Sequence, residues 1–267
     1  MKAQTFKRFC NIAYDRAGIR ISPTKVSLVE ARVAKRLRHL RIDTADEYLR
    51  FLEADATGEE LVAFIDVMST NFTHFYREPA HFELLRERVS KWVHQDGVRK
   101  LRFWCAASST GEEPYTMAMT ILDALDGCSC DVRILATDIS TRVLKIAAAG
   151  CYERRQIMAL PSHYRTQYFV DGEQDDEVIV APEVRRYVVF KRLNLAKPPF
   201  PMRGPLAAVF LRNVLIYFDQ PVRQRLVDAI GSLLASDGML LIGQSENING
   251  VKTELVPERP SVLRPAA

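Results

Sequence analysis

No apolar run in this 267-residue chain approaches the roughly 18 residues that a membrane-spanning helix needs, and no secretory leader is read at its start. The five cysteines are odd in number and show no C-x-x-C spacing; Cys128 and Cys130 stand one residue apart. That argues against a disulfide framework or a metal-ligand set and predicts a protein of the reducing cytoplasm. Repeats and low-complexity segments are missing. So are G-x-G-x-x-G and a glycine-rich loop followed by Lys-Ser/Thr, which excludes the usual phosphate-cradling turns. What remains is ordinary globular material, 48% hydrophobic and 26% charged, long enough for one large or two modest domains with cores of their own.

A net charge of +4 is mild, but its distribution is not. Residues 1–50 hold twelve Lys/Arg against five Asp/Glu, while the remainder holds 25 against 28. That asymmetry points to an anionic partner for the N-terminal part. The first seventy residues read as helices only. Phe6, Phe9, Cys10 and Ala13 mark one apolar face, ended by Gly18. Val26, Val29, Val33, Leu37 and Leu40 mark a longer helix, with Arg32, Lys35, Arg36, Arg38 and His39 between them as a basic solvent side. Thr44 and Thr57, each followed three residues later by Glu, predict capping boxes for two more helices. Four short helices make a small bundle. Residues 69–79 break the pattern with polar and aromatic residues, and a further helix runs from about Pro79 to Trp92.

After residue 100 the grammar changes. Leu101–Cys105 reads as a strand buried on both sides, Ala106–Gly111 as a loop of small residues, and Pro114 as part of the first turn of a helix carrying Ala118, Ile121, Leu122 and Leu125. The proline ring is expected to bias Glu113 away from helical geometry. Thr110 and Glu113 also fit a plain capping box, which competes with any functional reading of that acid. Strands are further expected at Val132–Ala136, Ala207–Leu211 and Met239–Ile242. Ser140 and Asp219 are expected to cap the intervening helices. This alternation predicts a mostly parallel sheet covered on both faces. Val178–Val180 and Tyr187–Phe190, separated by Pro182 and charges, read as a small antiparallel insert.

Ligands in such sheets sit beyond the carboxyl ends of the strands. Glu113, Asp138 and the pair Arg212-Asn213 stand at three of those ends. A carboxylate after the second strand is placed to accept two hydrogen bonds from a ribose diol. An acid beside the first turn suits a cationic ligand better than a pyrophosphate. S-adenosylmethionine (SAM), with its sulfonium and ammonium, is such a ligand.

The strings TNFTHFYREPAHF, FWCAASSTGEEPYTMAM, ILATDIS, GCYE, RLNL, FLRNVLIYF and GMLLIGQSENI occur in this order. Together they resemble the chemotaxis-receptor glutamate O-methyltransferases of the CheR type, over nearly the whole chain. The resemblance implies an α/β fold: a small N-terminal all-helical domain (1–72), then a Rossmann-like SAM-dependent methyltransferase domain (73–267) with a small antiparallel β-subdomain inserted at about 165–190. Carried over, the SAM contacts are Asn71, Thr73, Arg77, Glu113, Asp138, Asn194, Leu195, Leu211 and Arg212, with Tyr217 near the reacting methyl. Arg77 and Tyr217 are the expected catalytic pair, Arg77 orienting the acceptor carboxylate through bidentate hydrogen bonds. The product is S-adenosylhomocysteine, and no metal is expected.

The implied partners are cytoplasmic domains of bacterial chemoreceptors, with Arg32, Lys35, Arg36 and Arg38 docking on their acidic flank. Membrane insertion and nucleic acid are not expected. Two other classes compete: a non-catalytic SAM-sensing adaptor, and a methyltransferase of another signalling protein or of nucleic acid, which the basic N-terminal half would also suit. No N/D-P-P-Y motif of amino-methylating enzymes is present.

Overall fold

The computed structural model describes residues 1–69 and 71–266. Four helices come first: α1 (Ala3–Ala17), α2 (Val26–Leu40), α3 (Ala45–Ala54) and α4 (Glu59–Met68). Their apolar faces meet around Phe9, Tyr48 and Phe64, whose ring centroids lie 5.6–6.5 Å apart. Gly18, at φ 70°, ends α1 in the left-handed conformation that favours glycine. The capping box at Thr44 and Glu47 forms as expected. The one at Thr57 and Glu60 does not. Asp55 takes the backbone N–H groups of both Thr57 and Glu60, and Glu60 turns inward instead.

That inward turn corrects the reading of α2 as a wholly solvated basic face. Arg36 makes a bidentate pair with Glu60 at 2.9 and 2.6 Å, and Tyr48 donates its hydroxyl to the same carboxylate at 2.6 Å. Arg32 is half-buried and donates to the Met68 carbonyl. Lys35, Arg38 and His39 remain exposed. Helical spacing placed these cations between apolar positions, but Arg36 lies on the seam with α4 and an acid from that helix draws it in.

The rest of the chain is α/β: α5 (Ala80–Ser90), β1 (Lys100–Cys105), α6 (Glu112–Leu125), β2 (Asp131–Asp138), α7 (Thr141–Ala149), β3 (Cys151–Glu153), α8 (Ser162–Gln167), β4 (Phe169–Asp171), β5 (Glu177–Val180), α9 (Pro182–Arg185), β6 (Val188–Arg192), β7 (Leu206–Leu211), α10 (Gln220–Gly231), β8 (Leu234–Ile242), β9 (Leu255–Arg259) and β10 (Val262–Pro265). The main sheet has the order β6-β2-β1-β7-β8-β10-β9. Its first five strands are parallel, and β10 and β9 close one side as an antiparallel hairpin. The chain builds outward from β1 to β2 and β6, then returns to β7 on the other side. The order therefore reverses between β1 and β7, and a crevice opens there at the carboxyl ends. One face of the sheet packs Phe103, Phe210 and Leu241 against α5 and α6; the other packs Trp104, Val209 and Leu240 against α10.

Two strand assignments differ from expectation. Tyr187–Phe190 does not belong to the insert: β6 pairs in parallel with β2 from Ile134 opposite Val188 to Asp138 opposite Arg192. The antiparallel sheet is instead β3-β5-β4, so the insert begins at Cys151 rather than near 165 and ends at Val180. A short β-branched run looks the same in either sheet, because its local pattern does not name its pairing partner. The last parallel strand also starts at Leu234, ahead of Gly238.

Candidate functional site

The floor of the crevice is made by β1 and its loop. Ala106 and Ala107 put only methyl groups there, and the Ala106 N–H bonds to the Phe210 carbonyl of β7 at 2.8 Å, closing the two strands together. Gly111, at φ 102°, turns the loop into α6, and a Cβ there would stand 2.6 Å from the Tyr152 hydroxyl and 2.9 Å from the Ala147 methyl. Only glycine fits this position. No capping box forms with Glu113, since Thr110 donates to Glu112 instead, at 2.7 Å. Glu113 itself is helical despite Pro114, because it sits in the first turn of a helix whose other contacts hold it.

Glu113 is thereby released to face Arg212, which donates to it at 2.7 Å, while Cys105 donates its thiol at 3.2 Å. Arg212 has no exposed side-chain surface. It also pairs with Glu78 at 3.2 Å, donates to the Arg77 carbonyl, and lies over the rings of Phe82 and Phe210. Two carboxylates around one guanidinium leave a negative surplus, a setting that favours a cationic ligand. Burial pushes the Glu113 carboxyl up, with Arg212 opposing. Burial also acts upward on Glu78, but Arg212 and the hydrogen bonds from Asn213 and Gln244 outweigh it and hold this carboxyl below its ordinary value.

Asp138 ends β2. Its two oxygens accept the Ser109 and Ser140 N–H groups, each at 2.9 Å, so its direction is set by backbone from two loops. Each oxygen keeps a lone pair for a further donor. Burial raises its pKa against the pull of these bonds. Across the crevice stands the segment 71–77, fastened by the Ser109 hydroxyl donating to the Asn71 carbonyl at 3.0 Å. The Asn71 side-chain nitrogen is buried and has no hydrogen-bond partner among the described residues. A buried donor left unpaired costs about 1–3 kcal/mol, which a ligand acceptor would recover.

One cleft gathers Asn71, Thr73, Arg77, Glu113, Asp138, Asn194, Leu195, Arg212 and Tyr217. Leu211 is not among its walls; it is fully buried in β7 and packs in the sheet core. Asn194 lies at the cleft, but its amide is occupied, donating to the Arg16 carbonyl at 2.7 Å and accepting from the Ala196 N–H at 3.0 Å. Reasoning from the sequence missed the bundle's share of the walls: Ala17, Ile19 and Met68 line the same cleft. It also missed Glu78, which pairs with Arg212 from an ordinary-looking loop. Arg32, Lys35, Arg36 and Arg38 are not in the cleft.

A parallel sheet with its switch point at β1/β7, a ribose-type acid after β2, an apolar floor and an acidic wall define a nucleoside-binding α/β fold of the Rossmann-like methyltransferase class. Residues 71–260 match the family model described as CheR methyltransferase, SAM binding domain, and residues 4–69 match CheR methyltransferase, all-alpha domain. The chain belongs to the CheR methyltransferase family and is a SAM-dependent methyltransferase. It is 38% identical over 251 residues to the chemotaxis protein methyltransferase of Salmonella typhimurium, covering 93% of this chain and 85% of that protein. Chemotaxis protein methyltransferase 2 of Pseudomonas aeruginosa is 35% identical, over 91% and 86% of the two chains. The chemotaxis protein methyltransferase of Borreliella burgdorferi is 37% identical, over 92% and 88%.

The residues present fit SAM. Asp138 would take the ribose hydroxyls, Glu113 and the unpaired Asn71 amide the charged and polar groups, and the alanines, Ile19 and Leu195 the base. Among the described residues no group of three or more His, Cys, Asp or Glu is arranged to hold a metal ion, and no helix is long and apolar enough to cross a membrane.

Proposed function

We propose that this enzyme esterifies glutamate side chains on the cytoplasmic domains of bacterial chemoreceptors, so that the methyl esters set receptor sensitivity. The observation that carries the reading is Arg77 on the wall of an acid-lined cleft, where a cation stands beside a pocket suited to a sulfonium. The relatives are named chemotaxis protein methyltransferases, which supports a chemotaxis protein as acceptor. When bound, SAM supplies an electrophilic methyl group. A glutamate carboxylate is ionised at neutral pH and needs no general base. The chain's task is therefore alignment, which in the favourable limit supplies about 7–11 kcal/mol. Arg77 bonds the Phe72 carbonyl at 3.1 Å, and its guanidinium lies 5.9 Å from the Phe72 ring centroid, which holds it at the cleft. From there it would fix the carboxylate by paired N–H bonds, while Tyr217 on the cleft wall would help exclude water.

Receptor-containing membranes incubated with methyl-labelled SAM test this. Label should appear on receptor and leave as methanol in mild alkali; alkali-stable label would mean a methylated nitrogen and sink the proposal. Arg77→Ala should lower turnover about 100-fold, the cost of a misaligned acceptor, with little change in melting temperature.

A further inference from the structure

Glu246 does not line the ligand cleft, yet the residue is only 9% exposed and both of its carboxylate oxygens accept hydrogen bonds. It lies in the loop after β8 and reaches across to the loop after β7. One oxygen accepts the Asn213 N–H at 2.7 Å and the Gly243 N–H at 2.8 Å; the other accepts the Ile216 N–H at 3.3 Å. A Cβ at position 243 would meet the Glu246 carboxylate at 2.8 Å and the Asn213 amide at 2.5 Å, so glycine there leaves room for both groups.

The held segment is short and sits between two residues of the site. Asn213 adopts φ 57°, an uncommon conformation for a residue with a side chain. It directly follows Arg212, the cation paired to Glu113 and Glu78. Ile216 directly precedes Tyr217, whose carbonyl accepts the Arg20 N–H at 2.9 Å. Asn213 and Ile216 belong to the loop after β7 and Gly243 to the loop that carries Glu246, so one carboxylate ties the two loops together. We infer that Glu246 is a positioning residue for methyl transfer: its carboxylate clamps Asn213 and Ile216 so that Arg212 and Tyr217 are presented together to the cleft. This rests on the methyltransferase activity and not on which acceptor is used. Because Glu246 does not line the cleft, its removal should affect alignment at the reacting centre more than ligand affinity.

Two variants test it. Glu246→Ala should lower turnover about 100-fold, the loss expected when a site group moves by about 1 Å. Glu246→Gln keeps one acceptor for the two shorter bonds and loses only the longer one, so its loss should be about tenfold or less. In both, affinity for S-adenosylhomocysteine by calorimetry should stay within about threefold of the parent. The inference is overturned by parental turnover in the alanine variant, by affinity falling in step with turnover, or by glutamine rescuing nothing. If the alanine variant does not fold, the glutamine variant decides by the same split between turnover and affinity. If the parent leaves no label on receptor, the receptor reading fails separately. The clamp is then read from amide exchange in residues 212–218, which should speed up in Glu246→Gln; unchanged exchange would overturn it.

Discussion

Asp138 and His81 show how one buried group can serve a ligand and another only the fold. Asp138 directs its oxygens with two backbone bonds, and the ribose it is proposed to hold is common to SAM and its demethylated product. Asp138→Asn should therefore weaken both ligands together, by about tenfold or more, since an amide cannot replace both acceptors. Calorimetry with each ligand checks this, and unchanged affinity would remove the residue from the site. His81 lies behind the site, 3% exposed, with Nε2 2.7 Å from the Ser261 hydroxyl and Nδ1 3.4 Å from Glu78. Burial, aided by Arg212 and opposed by Glu78, brings its pKa from 6.5 down to about 4. Between those values the unfolded chain binds a proton that the folded chain does not, so this group makes stability rise with pH across that window. Its full contribution is present above pH 6.5 and disappears towards pH 4, a span worth about 3 kcal/mol. The raised carboxyls of Glu113 and Asp138 run in the opposite direction, so the measurement compares variants. His81→Gln should flatten the acid limb of a pH–melting profile between pH 6.5 and 4 relative to the parent.

At the scale of one helix, α2 divides its cations between two tasks. Arg36, with Glu60 and Tyr48, joins α2, α3 and α4 inside the bundle. Reversing that charge sets two buried acids against each other, and Arg36→Glu should destabilise the protein by about 3–5 kcal/mol in denaturant titrations. Lys35 and Arg38 are exposed and fit the role proposed for the helix, steering an acidic receptor surface. Single exposed pairs contribute roughly 0–1 kcal/mol and are screened by salt, so the signature is kinetic. The double variant Lys35→Glu/Arg38→Glu should slow receptor methylation several-fold at low salt and flatten its salt dependence, with SAM affinity unchanged. A parental rate at low salt would leave the face a solvated surface.

Across the whole molecule, the bundle and the sheet share the cleft and are tied around it. Asn194 holds the end of α1, Arg20 reaches the Tyr217 carbonyl, Tyr14 donates to Asp219 at 2.6 Å, and Asp66 accepts from Thr141 at the start of α7. Gly18 lies in this seam, where a Cβ would stand 2.6 Å from that of Ala196. A ligand seated between two tied parts stabilises both. S-adenosylhomocysteine at about 100 times its dissociation constant should add about 2.7 kcal/mol to unfolding and shift a single calorimetric transition upward. A second transition that the ligand does not move would mean that the bundle unfolds by itself.

Periodicity alone determined the four helices, the change to alternating strands and helices at residue 100, and the acids at strand ends, because these depend on neighbours three or four positions away or on one turn. The ordered motifs, too long a set to arise by chance, determined the family. Only the tertiary structure decided which sheet took Val188–Arg192, that Arg36 and Glu60 pair rather than face water and cap a helix, and that Leu211 fills the core. It alone also brought Ala17 and Ile19 to the cleft and set Glu246 under a loop thirty residues earlier. Each of those outcomes joins residues far apart in the chain, and a strand edge or a charged side chain takes its partner from whatever the fold brings within about 3 Å, which local sequence does not encode.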